Sequence, residues 1–372
     1  MSYSLATLWY DRNRYLPGVL AVTFSAVLIV VQCGLLLGLF SITSIPIDHT
    51  QADIWVGNAD VESVDLGRPI PEAWLQRVAR EPEVERAEVY LQGFSYWTMP
   101  SGGTELVCIV AGRLEDGSLG ALSELTPELR ERLTEPGAVV IDTAERDRLK
   151  VGGVGDYAEI GGHRVHVVGL VRGLKSLAGP YVFCSVSTAR PLLARLRPDQ
   201  TTYVLARCRR PADVPTVVRR LRGYPSMSAF TREEFSWKSR LHWLRKTKAG
   251  VAMGLAAVLG LLVGAVVTSQ TLYAATAAAR REYAVLQALG IPRWRMMAAV
   301  LAQSFWVGVA GLALAVPAVW VLIVAAEALG AKVLLYDWLL ALAAGVTMAM
   351  ALLSGLAALR SLRRVEPAAL LR

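Results

Sequence analysis

The sequence predicts a membrane α-helical protein with four transmembrane helices and one large α+β extracytoplasmic domain. Three observations predict it. Residues 16–40, 249–275, 296–326 and 338–359 are each apolar for at least the ~20 residues a bilayer crossing needs, with no charge in their interiors. Residues 41–245 break that pattern, alternating short β-branched runs with helical periodicities and turn residues. The charges, finally, are distributed unevenly about these runs.

If the N-terminus, residues 277–295 and the C-terminus face the cytoplasm, those pieces hold ten arginines against three carboxylates. Residues 41–245 hold 26 basic and 26 acidic side chains. Nearly all of the formal net charge of +8 is therefore positive-inside bias. This accounts for a pI near 9.5 without nucleic-acid binding. Arg245, Lys246 and Lys248 flank the second span on the outside, but charges that follow a long translocated domain weigh little in topology.

In chain order, residues 1–15 carry Leu5, Leu8, Trp9 and Arg12 at helical spacing and are expected to lie on the cytoplasmic surface as a short amphipathic helix. The run 16–40 is too long for a signal-peptide core and lacks a small-residue cleavage site, so it is expected to remain as an anchor. In the domain 41–245, strands are expected at 53–57, 84–97, 105–111, 138–141, 157–160, 164–171, 181–185, 203–207 and 227–230. Helices are expected at 71–80, with Pro71 at its start, and at 144–149, 188–196 and 214–221. Gly161-Gly162 should turn a hairpin. From Arg232 the chain reads as a helical stalk running into the second span, 246–276. Then come a cytoplasmic segment 277–295, a third span 296–326 kinked at Pro317, a short outer loop 327–337, a fourth span 338–359 and a cytoplasmic tail 360–372.

The outer domain is polarised along the chain. Residues 41–189 hold 13 basic and 22 acidic side chains, and residues 190–245 hold 13 and 4. Two solvated faces, or pairing between the two parts, would each satisfy this pattern. Cys33, Cys108, Cys184 and Cys208 show no CxxC spacing and are expected to be small buried apolar residues, with one disulfide among the outer three left open.

Catalytic chemistry is not visible. There is no GxxxxGK[ST] phosphate loop, and the glycines at 152–155 and 161–162 serve turns. His163 and His166, three apart in a strand, fall on opposite faces, which is poor for a shared metal. No catalytic, cofactor-binding or metal-binding residues are assigned to this chain. The spans lack the ionisable residues that ion-coupled transporters carry at depth, so any transport energy must come from another polypeptide. Gly34 with Gly38, and Gly260 with Gly264, form GxxxG pairs suited to close helix packing.

The segment between the second and third spans draws most attention. Arg281-Glu282-Tyr283-Ala284-Val285-Leu286-Gln287-Ala288-Leu289-Gly290 reads as a short amphipathic helix, with Leu286 and Leu289 on one face. Gly290 suits the left-handed position past its end, and Pro292 follows where a helix cannot continue. The pattern alone fits an ordinary basic loop equally well. Its wording, however, resembles the coupling segment of the FtsX/MacB/LolC superfamily of ABC transporter permeases, and Arg363-Arg364-Val365-Glu366-Pro367-Ala368-Ala369-Leu370-Leu371 resembles that superfamily's terminal motif. Within it, the Glu282-Tyr283-Ala284-Val285-Leu286 form of the coupling segment, Gln270-Thr271-Leu272-Tyr273 and Leu8-Trp9-Tyr10-Asp11-Arg12 resemble the DevC-type branch of heterocyst glycolipid-type exporters more than the antibiotic-efflux branch. Gln287 departs from the usual basic residue.

The resemblance implies a MacB-like periplasmic core domain and a mechanotransmission permease in the bacterial inner membrane, with both termini cytoplasmic. It implies Arg281, Glu282, Tyr283, Leu286, Gln287, Leu289 and Gly290 as ATPase-coupling residues. The partners would be two copies of a separate ABC ATPase, which would hold the ATP and Mg. To these it adds a second permease copy in a homodimer, a periplasmic membrane-fusion adaptor and an outer-membrane TolC-like channel. The exported substrate would be a lipid, glycolipid or other hydrophobic compound. The alternative is an FtsX-like, ATPase-coupled regulator of an extracytoplasmic cell-wall hydrolase; the size of the outer domain favours export.

Overall fold

The structure is a computed structural model that describes residues 12–99, 102–176, 179–278, 292–328 and 333–362. It divides into a helical unit, residues 1–38 with 251–372, and an α+β unit, residues 39–250.

The chain begins with α1 (Arg12–Ile42) and α2 (Ile45–Asp48), followed by β1 (Ile54–Asn58), β2 (Ile70–Pro71), α3 (Trp74–Ala79), β3 (Val84–Thr98) and β4 (Thr104–Gly112). Next come α4 (Pro127–Arg132), β5 (Ala138–Asp142), α5 (Arg146–Leu149), β6 (Tyr157–Ile160), β7 (His163–Val171), β8 (Tyr181–Ser185), α6 (Val186–Leu192) and β9 (Gln200–Thr201). The domain ends with β10 (Tyr203–Cys208), α7 (Val214–Leu221), β11 (Met227–Thr231) and α8 (Arg232–Lys246), and the chain then runs through α9 (Lys248–Ala278), α10 (Arg293–Ala328) and α11 (Asp337–Leu362).

Nine strands form one sheet in the order β11-β1-β10-β3-β4-β8-β5-β7-β6. The 15-residue β3 belongs to two subassemblies. Its first half pairs with β10, Tyr90 opposite Tyr203. Its second half pairs with β4, and at its end Trp97 and Thr98 pair with Ile160 and Glu159 of β6. That last pairing closes β3, β4, β8, β5, β7 and β6 into a six-stranded barrel. The alternation along these strands directs Leu91, Trp97, Ile109, Val139, Ile160, Val167 and Val182 into one apolar interior.

The open part, β11-β1-β10-β3, is covered on both faces, so β1 reads Ile54-Trp55-Val56 without a polar break. Ile54 and Val56 pack with Val78 of α3 and Val217, Val218 and Leu221 of α7. Trp55 points the other way, into a ring cluster with Tyr90, Tyr203 and Phe235.

Most expected elements are present within a residue or two. The hairpin turns at Gly161 and Gly162 with φ of +57° and +87°, a backbone that favours glycine. Three elements differ from expectation. Pro71 does not start a helix: with Ile70 it pairs to Gln200 and Thr201, and the helix begins at Trp74. The helix after β8 ends at Leu192. The stalk does not run unbroken into the second span, because Thr247 is extended (φ −100°, ψ 142°) and its hydroxyl accepts the Gly250 N–H at 3.0 Å. The polarised charges do pair: Glu72 with Arg190 at 2.5 Å, Glu81 and Glu83 with Arg220, and Asp48 with Arg240. All four cysteines are free, and Cys108, Cys184 and Cys208 are buried.

In the other unit, four helices are long and apolar enough to cross a membrane: Tyr15–Ile42, Gly250–Thr271, Met297–Ala326 and Asp337–Leu356.

Candidate functional site

The coupling residues Arg281, Glu282, Tyr283, Leu286, Gln287, Leu289 and Gly290 lie outside the described residues, as do the N-terminal segment 1–11 and the tail from 363. What the structure describes is the packing among the long apolar helices and the seat of the stalk in the α+β domain.

Among the membrane helices, the small residues permit close approach. A Cβ on Gly260 would fall 2.2 Å from Leu28 Cδ2, and one on Gly264 would fall 3.1 Å from Ser25 Cβ, so this GxxxG pair packs against α1 of the same chain. Fully buried Ser25 donates to the Gly264 carbonyl at 2.9 Å and lies 2.8 Å from Thr268 Oγ1. Gly34 accepts the Leu334 N–H at 3.1 Å and stands against Val333, and Gly38 follows one turn later on α1. Replacing Gly264 by leucine should force α1 and α9 apart, break the Ser25 contacts and destabilise this unit by about 1–3 kcal/mol. A thermal-unfolding midpoint in detergent equal to that of the parent would show that the contact is not formed.

The stalk helix α8 is fastened along its length. Thr231 and Glu234 cap its start reciprocally, each side chain accepting the other's backbone N–H. One turn on, Phe235 is fully buried between Trp55, Tyr203 and Phe230. Then Ser239 Oγ accepts the Val64 N–H at 3.0 Å. Arg240 donates to Ser44 Oγ at 2.9 Å and to Asp48 Oδ2 at 2.6 Å, and Arg232 reaches the Asp48 carbonyl. This last group joins the segment entering the domain after α1 to the segment leaving it toward α9. Near the end, His242 Nδ1 lies 2.9 Å from Glu62 Oε2, and Lys246 pairs with the same carboxylate. The entering and leaving segments are thus tied to each other through Asp48, Ser44 and Arg240, and to β1 and β10 through Phe235.

Beneath the stalk lies a polar cluster that counting charges does not reveal. Asp65, in the short turn Val64–Leu66, is buried and accepts Gln92 Nε2 at 3.0 Å and Tyr181 OH at 3.1 Å. Burial pushes its carboxyl up to about 6, opposed by the hydrogen bonds from Tyr181 and Gln92. The one sequence signal was a carboxylate set between Val64 and Leu66. Among the described residues no group of histidine, cysteine and carboxylate side chains is placed to hold a metal.

Comparison with known proteins places this architecture. A family model described as a MacB-like periplasmic core domain matches residues 19–224, and one described as an FtsX-like permease C-terminal matches residues 254–367. Among solved structures, the periplasmic region of MacB from Actinobacillus actinomycetemcomitans is similar over 50% of this chain and 92% of that one, at 8% identity and a TM-score of 0.35. The extracellular domain of the noncanonic ABC-type transporter YknZ from Gram-positive bacteria is similar over 48% and 98%, at 10% identity and 0.33. A domain of a permease protein from Porphyromonas gingivalis is similar over 50% and 90%, at 13% identity and 0.30. No curated protein matches.

Proposed function

Because the chain belongs to the family of FtsX-like permeases with a MacB-like periplasmic core domain, we propose that it is the membrane subunit of an ATP-driven exporter of the mechanotransmission type. Hydrolysis takes place on two copies of a separate ABC ATPase in the cytoplasm, and two permease chains pair in the inner membrane with their termini on the ATPase side. The motion of the ATPases passes through the spans to the stalks, and from the stalks into the outer domains. Those domains work with a periplasmic adaptor and an outer-membrane channel. The cargo is a lipid, glycolipid or other hydrophobic compound, in keeping with a DevC-type exporter.

The observation that carries this reading is the stalk junction. A helix held only at its start would swing without deforming the sheet. Here Phe235, Ser239 and Arg240 each grip a different part of the domain, so α8 acts as a lever on β1, β10 and the Val64–Leu66 turn. Membrane helices without ionisable residues in their interiors suit a machine whose cargo need not pass between them.

The test is co-purification. The full chain, tagged and extracted in mild detergent, should carry an ABC ATPase, and ATP turnover should change when the two are reconstituted in nanodiscs. Capture of a cell-wall hydrolase or its activator as the main outer-domain partner would favour the regulatory alternative, and failure to capture any ATPase would overturn the reading.

A further inference from the structure

On the face of the sheet away from the stalk, α3 and the turn between α7 and β11 border a cleft of about 400 Å³, whose walls include Gln76, Arg77, Arg80, Glu81 and Tyr224. Clefts that hold small ligands begin at about this size. The residue pattern of α3 builds one wall. Trp74, Leu75 and Val78 pack inward against the apolar side chains of α7, so Gln76, Arg77 and Arg80 are left exposed. Arg77 and Arg80 are three apart and share one side of the helix. The turn supplies the other wall. The Arg77 guanidinium carbon lies 4.6 Å from the centroid of the Tyr224 ring.

This cleft holds positive charge that the protein itself does not neutralise. Among the described residues, neither Arg77 nor Arg80 has a carboxylate partner, because the carboxylates around α3 are taken from elsewhere. Glu81, in the wall of the cleft, lies 3.3 Å from Arg220 Nε, and the same guanidinium pairs with Glu83. Glu72 pairs with Arg190 at 2.5 Å. Both of these arginines belong to residues 190–245, where 13 basic side chains stand against 4 acidic ones. That surplus occupies the carboxylates around α3 and leaves the two arginines of α3 without a partner.

We propose that the cleft binds a phosphate monoester, carried either by a small soluble compound or by a lipid headgroup. A guanidinium presents a planar fork of N–H donors that matches two phosphate oxygens. Two such forks, with two positive charges, suit a group that carries a charge of about −1.5 to −2 and three acceptor oxygens. A carboxylate has one charge and two oxygens and would satisfy only one fork. The Gln76 amide adds a neutral donor to the same wall. Tyr224 is a positioning residue: its ring holds the Arg77 guanidinium, whose N–H groups stay free for the ligand. The pairing of Glu81 with Arg220 limits repulsion of the incoming anion.

The site lies wholly within residues 39–250 and depends neither on the ATPase nor on the cargo. Its test uses the full chain in phosphatidylcholine nanodiscs, with binding followed by phosphorus NMR titration against empty nanodiscs. The probes are methyl phosphate for the soluble source and dihexanoyl phosphatidic acid for the lipid source. Saturable binding of methyl phosphate, with or without the lipid, supports a site that reads the phosphate alone. Binding of the lipid only assigns the headgroup, provided the arginine variants lose it. Arg77→Gln and Arg80→Gln should each weaken binding by about tenfold or more, the loss of a charged hydrogen-bonding partner. Arg219→Gln removes an exposed cation of α7 that does not line the cleft, and it should bind as the parent does. Tyr224→Leu should weaken binding about threefold, whereas Tyr224→Phe keeps the ring and should not. Acetate should not compete. All these side chains are exposed, so the thermal midpoint should be unchanged throughout. The proposal is overturned if neither probe binds saturably, if Arg77→Gln and Arg80→Gln bind as the parent does, if Arg219→Gln costs as much as they do, or if acetate competes as well as methyl phosphate.

Discussion

Trp55→Ala should be among the most damaging single changes in the outer domain, costing about 3–5 kcal/mol. The indole is fully buried, with ring centroids 5.2 Å from Tyr90, 5.5 Å from Tyr203 and 5.7 Å from Phe235. These residues come from β1, β3, β10 and the stalk, so the cavity would open where the sheet and α8 meet. The walls from β1, β10 and β3 are held by backbone pairing between these strands, so collapse into the cavity is limited. For a domain of this size the loss corresponds to a fall in unfolding midpoint of roughly 10 °C. Phe235→Ala empties the other half of the same contact, so the two changes should combine to less than their sum. Tyr90→Phe provides a control: its hydroxyl has no hydrogen-bond partner among the described residues, and its removal should cost little. A Trp55→Ala midpoint within a degree or two of the parent, set against the roughly 10 °C expected, would mean that the stalk is not seated on this cluster.

What was legible in the sequence depended on whether the signal was local. Ile54-Trp55-Val56 announces a strand buried on both faces, and Gly161-Gly162 a hairpin, because period and turn chemistry are written in adjacent residues. The closure of the barrel is not written that way. Trp97 and Ile160 become neighbours only after four other strands have set the curvature, and nothing in either residue names the other. Pro71 is ambiguous by nature: a fixed φ and a missing N–H suit both the first turn of a helix and a short edge pairing, and the buried Ile70 decides for the pairing. Thr247 resembles any residue in a continuous stalk until the neighbouring geometry is seen, in which a Cβ on Gly250 would meet the Trp243 carbonyl at 2.1 Å. Asp65 was hidden for a different reason. A tally of charges treats every carboxylate as solvated, whereas this one is enclosed by Gln92, Tyr181 and the stalk.

Glu282→Lys and Leu286→Asp should each abolish transport while leaving membrane insertion and the outer domain intact. We base this on the sequence of the coupling segment and on its place between α9 and α10. A push from an ATPase must be received by a short rigid element whose ends are fixed by two membrane helices. Leu286 and Leu289 are proposed as the apolar face that seats in a groove of the ATPase or against the neighbouring spans, with Glu282 and Arg281 making polar contacts at the groove's rim. A carboxylate at 286 would be buried without a partner, and a lysine at 282 would put like charge beside Arg280 and Arg281. Gly290 is expected to reverse the chain into the third span, where a side chain would cost ~1 kcal/mol or more in left-handed backbone. Three readouts separate the outcomes: the amount of ATPase co-purified, ATP turnover in nanodiscs, and the thermal midpoint of the outer domain. The prediction is loss of the first two with the third unchanged. If both variants bind and stimulate the ATPase as the parent does, the segment is an ordinary interhelical loop and the proposed coupling role of these residues is overturned.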